Sequence, residues 1–148
     1  MADRYLGDFQ AGDTYRSQIG RTVLDADNFW FTGITHNTNQ IHFNAEYAAG
    51  TEFGKPLVNS LFTLALVHGL SVEDTSKHAV ANLGWKEITL PAPVFAGDTL
   101  HAETEVLSVR DSKSRPGQGI VEVRTRGVNQ RGETVIEFER SFLIARDA

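Results

Sequence analysis

Ser60-Leu61-Phe62-Thr63-Leu64-Ala65-Leu66-Val67-His68-Gly69-Leu70 is the stretch on which the fold turns. Its apolar residues fall on nearly every side of a helix, and a helix apolar all round has to be enclosed all round. Asn59 or Ser60 suits its N-cap, and Gly69 stands near its expected end. With 148 residues the chain is one domain, 1–148, and the enclosure within its means is a curved sheet.

The second half supplies strands. Leu83–Leu90 is strand-like and closes at Pro91 and Pro93. Leu100, Ala102, Thr104 and Val106 alternate with His101, Glu103 and Glu105. Val121, Val123 and Thr125 alternate with Glu122, Arg124 and Arg126. Ile136, Phe138, Phe142 and Ile144 share one parity, which Arg140 breaks, so that strand either bulges or pairs the arginine near an edge. Asn129–Gly132 and Ser112–Gln118 read as hairpin turns. Ala-Gly-Asp-Thr occurs at Ala11–Thr14 and again at Ala96–Thr99, each time as a turn launching a strand.

The first half is more broken. Thr14–Leu24 is strand-like in parts. Asp25 or Asp27 caps a short helix with Phe29, Trp30 and Ile34 at helical spacing. A polar turn, Thr35–Gln40, and a short helix at Asn44–Ala49 follow, before Gly50, Gly54 and Pro56 break the chain. An antiparallel sheet around one buried helix describes the α+β hot-dog fold. Periodicity alone leaves other α+β arrangements open.

Composition removes whole classes of function. Hydrophobic residues at 41% and charged residues at 22% are ordinary for a folded domain. Fourteen basic against 19 acidic residues give a net charge of -5, so no nucleic-acid partner is expected. The absence of cysteine excludes disulfides and thiolate catalysis, and suits the cytoplasm. Met1–Asp13 has no apolar core of a signal peptide, and the longest apolar run, Leu61–Val67, is too short to span a membrane. His36 and His42 have no spaced third ligand, so no metal is expected.

Asn37-Thr38-Asn39-Gln40-Ile41-His42-Phe43-Asn44, followed by Tyr47-Ala48-Ala49, resembles the hydratase motif of the MaoC-like dehydratase and (R)-specific enoyl-CoA hydratase family, usually Asp-x-Asn-Pro-x-His-x-Asp. Phe53–Ser60 resembles that family's approach to its central helix, and Leu90–Leu100 its strand–turn–strand element. The resemblance covers nearly the whole chain. Through Thr51–Ser60, Asn82–Trp85 and Ser108–Gly119 it is closest to the mesaconyl-CoA hydratase (β-methylmalyl-CoA dehydratase) branch. It implies a hot-dog fold, a 2-enoyl-CoA substrate, no cofactor, and a homodimer or larger homo-oligomer.

The resemblance also implies site residues. His42 is the acid–base group, and the Ser60 N–H serves as an oxyanion donor at a helix start. Asn37 stands where the family has its catalytic Asp, Gln40 replaces Pro, and Asn44 replaces the later Asp. An amide accepts no proton at neutral pH, so Asn37 is left to orient water or His42. Asn39 and Asn59, turn and cap residues by type, are candidates for substrate contact. Lys113 and Arg115, in a Ser-rich hairpin with Arg110 at its base, are candidates for the CoA phosphates. His68, His78 and His101 read as structural. Two alternatives stay open: a hot-dog acyl-CoA thioesterase, and a non-catalytic acyl-CoA-binding protein.

Overall fold

The computed structural model describes residues 3–148; residues 1 and 2, the start of the Met1–Asp13 segment, lie outside the described residues. Two short strands, β1 (Thr14–Arg16) and β2 (Arg21–Thr22), precede helix α1 (Asp25–Ile34). The 3-10 turn Gln40–His42 and helix α2 (Ala45–Ala49) follow. Helix α3 (Ser60–Thr75) then leads into β3 (Ala79–Thr89), β4 (Thr99–Asp111), β5 (Gln118–Val128) and β6 (Thr134–Ala145). The sheet is antiparallel in the order β1-β4-β5-β6-β3, with β2 on the start of β4. This is the hot-dog arrangement, one sheet wrapped around α3.

The alternation dictates the inner face. Leu100, Ala102, Thr104 and Val106 of β4, Val121, Val123 and Thr125 of β5, and Ile136, Phe138, Phe142 and Ile144 of β6 are all buried. Each of the large apolar ones contributes about 1.5–3 kcal/mol through burial. Helix α3 lies on β5 where a Cβ at Gly127 would sit 2.5 Å from Val67 Cγ2, so only glycine permits this approach. The core has two parts. One joins α3 to the start of β4 through Val58, Val67, Val94, Leu100 and Phe138. The other packs Leu6 and Phe9 on Val106, Val121, Phe142 and Ile144 beyond the helix.

The two Ala-Gly-Asp-Thr turns are the same device. Gly12 and Gly97 have φ of 94° and 97°, which glycine adopts without a Cβ penalty. Asp13 Oδ2 accepts from Gln10 N–H at 2.8 Å, and Asp98 Oδ2 accepts from Phe95 N–H at 2.9 Å. Each turn then releases a strand.

Several expectations are corrected. Helix α3 runs through Gly69 to Thr75. One side of it, Leu61, Ala65 and Gly69, is uncovered in the single chain. At the start of α1, Asp27 rather than Asp25 accepts from Leu24 N–H, at 2.8 Å. Trp30 and Ile34 of that helix are exposed, while Asn28 and Thr32 are buried. β6 neither bulges at Arg140 nor forms the sheet edge; the irregularity lies in β3 opposite, between Asn82 and Gly84. Arg140 therefore points inward with its strand's parity and is 2% exposed. Hydroxyls of α3 and the turn after it receive it, Thr75 Oγ1 at 3.0 Å and Ser76 Oγ at 2.9 Å. Among the described residues no carboxylate pairs with it. Burial alone lowers its pKa to about 10, which leaves it charged at neutral pH.

His68 of α3 packs its ring against Trp85, 5.5 Å between centroids, and its buried Nδ1 has no partner among the described residues. Burial, with a smaller push from the Arg140 charge, lowers its pKa to about 4. Between about 4 and the ordinary value of 6.5 the unfolded chain binds the proton and the folded chain does not. Stability therefore rises with pH through this window and falls on acidification. The ring is partly exposed, so we expect a loss on the order of 1 kcal/mol rather than the full shift. Thermal melts at pH 4.5 and 7 check it: His68→Gln should flatten the difference, and an unchanged difference would contradict the assignment.

Among the described residues, no helix is long and apolar enough to cross a membrane.

Candidate active site

The site begins where α1 ends. His36 N–H donates to Gly33 O and Asn37 N–H to Thr32 O, both at 3.1 Å. This is a Schellman closure. His36 occupies its left-handed position with φ of 56°, where glycine is usual. The closure consumes the Asn37 backbone and presents its side chain. Asn37 Oδ1 accepts from Asn39 N–H at 2.9 Å, an Asx turn. The carboxamide oxygen is thus engaged, and among the described residues Nδ2 has no partner.

Asn39 Oδ1 in turn accepts from Ile41 N–H at 3.2 Å and caps the 3-10 turn. Asn44 Oδ1 does the same for α2, accepting from Tyr47 N–H at 3.0 Å. Between the two caps lies His42, 8% exposed. Its Nδ1 is 2.7 Å from Leu57 O. A carbonyl oxygen only accepts, so Nδ1 carries a proton, and in the neutral imidazole the lone pair is on Nε2.

Asn28, 1% exposed on α1, ties the pieces together. Its Nδ2 donates to His42 O at 2.8 Å and to Leu57 O at 3.0 Å, and its Oδ1 accepts from Asn59 N–H at 2.8 Å. One turn along α1, the buried Thr32 Oγ1 accepts from Asn59 Nδ2 at 3.3 Å. Sequence reasoning missed both residues. The available signal was a polar pair four apart within a helix, Asn28 and Thr32, among apolar neighbours.

Asn59 Oδ1 accepts from Leu61 N–H at 3.0 Å and caps α3. With this bond, and with its N–H and Nδ2 bonded to Asn28 and Thr32, Asn59 is 3% exposed and acts as the cap of α3. Ser60 is the first residue of α3, and its N–H has no partner among the described residues, as expected of a helix start. It lines a cavity of about 250 Å³ with Phe53, Leu57, Thr63, Leu90 and Pro91. An unpartnered donor at the positive end of a helix, on a residue that lines an apolar cavity, suits a developing oxyanion.

The structure does not bring Lys113 and Arg115 here. They sit on the β4–β5 hairpin, beyond Asp111, whereas Ser60 lies by Val94, at the Thr99 end of β4. Thirteen residues of strand span about 40 Å along the chain, longer than these side chains can bridge. Lys55, two residues from Leu57 and 4.6 Å above the Phe95 ring, is a cation on the site's own segment. The sequence reading passed over it.

Comparison with known proteins shows the family. The family model described as "MaoC like domain" matches residues 8–129. The chain is 34% identical over 145 residues to the mesaconyl-CoA hydratase of Cereibacter sphaeroides, covering 98% of this chain and 42% of that protein. It thus spans about two fifths of the length of the curated relatives it matches. Among solved structures, a MaoC-like dehydratase from Rhodospirillum rubrum superposes with a TM-score of 0.85 at 30% identity, over 99% of each chain. A Mycobacterium tuberculosis protein described as having a double hot-dog fold superposes at 0.86, with 21% identity, over 97% of this chain and 44% of that one, a likeness of fold alone.

Proposed function

This chain belongs to the MaoC-like domain family, and from that premise we propose that it adds water to, or removes it from, a 2-enoyl-CoA thioester. A branched C5 dicarboxylic acyl group of the mesaconyl-CoA type is the first substrate to test. The observation that carries the reading is the bond from His42 Nδ1–H to Leu57 O. It leaves Nε2 as the base, in a loop tied through Leu57 and Asn28 to the helix start that carries the free Ser60 N–H.

In hydration, Nε2 takes a proton from water as the water oxygen attacks C3. The π pair of the double bond moves into the thioester as an enolate, whose oxygen accepts from Ser60 N–H. The imidazolium then returns a proton to C2. One water is consumed and no electrons are exchanged, so no cofactor is needed. Asn37 Nδ2 donates to the attacking water, its Oδ1 being held in the turn. Lys55 is the cation offered to a CoA phosphate. The cysteine-free composition fits a cytoplasmic enzyme.

Incubation with mesaconyl-CoA, crotonyl-CoA and a saturated acyl-CoA tests the reading. Loss of the enoyl absorbance with formation of a 3-hydroxyacyl-CoA is expected. Release of free CoA would replace it with the thioesterase reading. Binding without turnover would replace it with the acyl-CoA-binding reading, which rests on Asn37 in place of an acid.

The same reading includes a homodimer joined along β3. This edge strand pairs only with β6 among the described residues. It exposes Val80, Leu83, Trp85 and Ile88, and Leu90 just beyond it is exposed too, each 45–50% accessible. An open apolar edge strand invites a second strand. Light scattering at micromolar concentration should give at least twice 16.3 kDa, and Leu83→Lys with Trp85→Lys should give a monomer. A wild-type monomer would end the dimer reading.

A further inference from the structure

We infer that Asn28 is a positioning residue that sets the general base and the oxyanion donor relative to one another, an inference resting on the hydratase reading above. Three of its side-chain bonds reach two different catalytic parts. Nδ2 holds His42 O and Leu57 O, at 2.8 and 3.0 Å. Oδ1 holds Asn59 N–H at 2.8 Å, immediately before Ser60. Leu57 O accepts from both Asn28 Nδ2 and His42 Nδ1, so Asn28 fixes the carbonyl that selects the His42 tautomer. An amide is the side chain suited to this place. It donates twice from one end and accepts at the other, and its geometry is planar. A carboxylate of the same shape could serve Asn59 but not the two carbonyls. The rigid body of α1 carries Asn28 and Thr32 on one buried face, so both arms are referred to one helix. Displacing a reacting group by about 1 Å from a remote site costs about 100-fold in rate.

Two variants and two readouts test this. Asn28→Ala removes all three bonds; Asn28→Asp keeps the acceptor for Asn59 and loses both donors. Nitrogen–proton correlation NMR of the His42 ring reads the tautomer without any substrate. The Nδ1–H form is expected in the wild type, with the Nε2–H form appearing in both variants. On an enoyl-CoA substrate, kcat should fall about 100-fold in Asn28→Ala with KM within about threefold of wild type. A residue that only stabilises the fold would lower the amount of active protein and leave the tautomer of the folded fraction unchanged. Folding is checked by circular dichroism. Should Asn28→Ala not fold, Asn28→Ser, whose hydroxyl still reaches one carbonyl, is scored by the same two readouts. An unchanged tautomer with kcat within about threefold of wild type in the folded variants overturns the inference. A wild type that hydrates no enoyl-CoA overturns the functional reading instead, and the NMR comparison then decides the role of Asn28 by itself.

Discussion

His42→Ala should lower hydration turnover by about 100-fold or more, the range that a single acid–base group contributes. The imidazole is the only titrating side chain in the Asn37–Asn44 loop. Its Nδ1–H is committed to Leu57 O, so the variant loses the Nε2 lone pair and with it the base. The fold should survive, because Asn28 Nδ2 still donates to both Leu57 O and the backbone carbonyl of residue 42. The fall should therefore appear in kcat, with KM little changed, in a protein whose melting curve remains cooperative. Near-wild-type turnover in such a protein would remove His42 from the chemistry and the hydratase assignment with it.

Asn37 carries the second largest effect. Its Oδ1 holds the turn to Asn39 N–H, and its Nδ2 is left to donate. Asn37→Ala loses both, and we expect most of the rate to go, about 10- to 100-fold. Asn37→Asp keeps an acceptor for Asn39 N–H and exchanges the donor for a carboxylate oxygen that can take a proton. It should retain the wild-type rate on simple enoyl-CoAs or exceed it. The new charge stabilises an imidazolium in the same loop, so the acid limb of its pH–rate profile should move to higher pH. In the wild type, a profile governed by a single titrating group is expected, since no carboxylate shares the motif. Asn37→Ala as active as wild type would reduce Asn37 to a turn residue and leave the water ligand to be sought among other residues.

The strands were legible because each has one face inside. Leu100 to Val106 and Val121 to Thr125 alternate cleanly, and the structure buries that parity. The helix at Ser60 was legible for the same reason, carried by its apolar density. Its far end was not, because Gly69 is tolerated inside a helix and the hydroxyls of Ser71 and Thr75 look like a helix terminus. They continue it instead, and Arg140, a strand away, takes their oxygens. Arg140 itself announced a conflict in the pattern. Its resolution required knowing which helix lies opposite.

The candidate site divides in the same way. His42, Asn37 and Ser60 were readable from residue type, motif and helix start, which are local. Asn59 as a cap was readable too; its bonds to Asn28 and Thr32 were not. Lys113 and Arg115 lie at the far end of β4 from Ser60, which was not legible because a hairpin's composition does not say at which end of a sheet it lies. Asn28 and Thr32 were not legible because the apolar spacing of α1 marks Trp30 and Ile34, which are exposed, as its inner face.

What the chain determines by itself is therefore whatever a periodicity of two or 3.6 residues, a turn residue or a helix cap encodes: the sheet, the central helix, the twin Asp turns and the imidazole in its polar loop. Only tertiary structure decided the tautomer of His42, the link from Asn28 to both His42 and Asn59, and the burial of Arg140 against hydroxyls. Each of those depends on groups far apart in sequence, 14 residues from Asn28 to His42, 31 from Asn28 to Asn59 and 65 from Thr75 to Arg140. Hydrogen-bond satisfaction in a buried site is settled between elements after they pack, and no local pattern records which partner a buried amide or guanidinium will find.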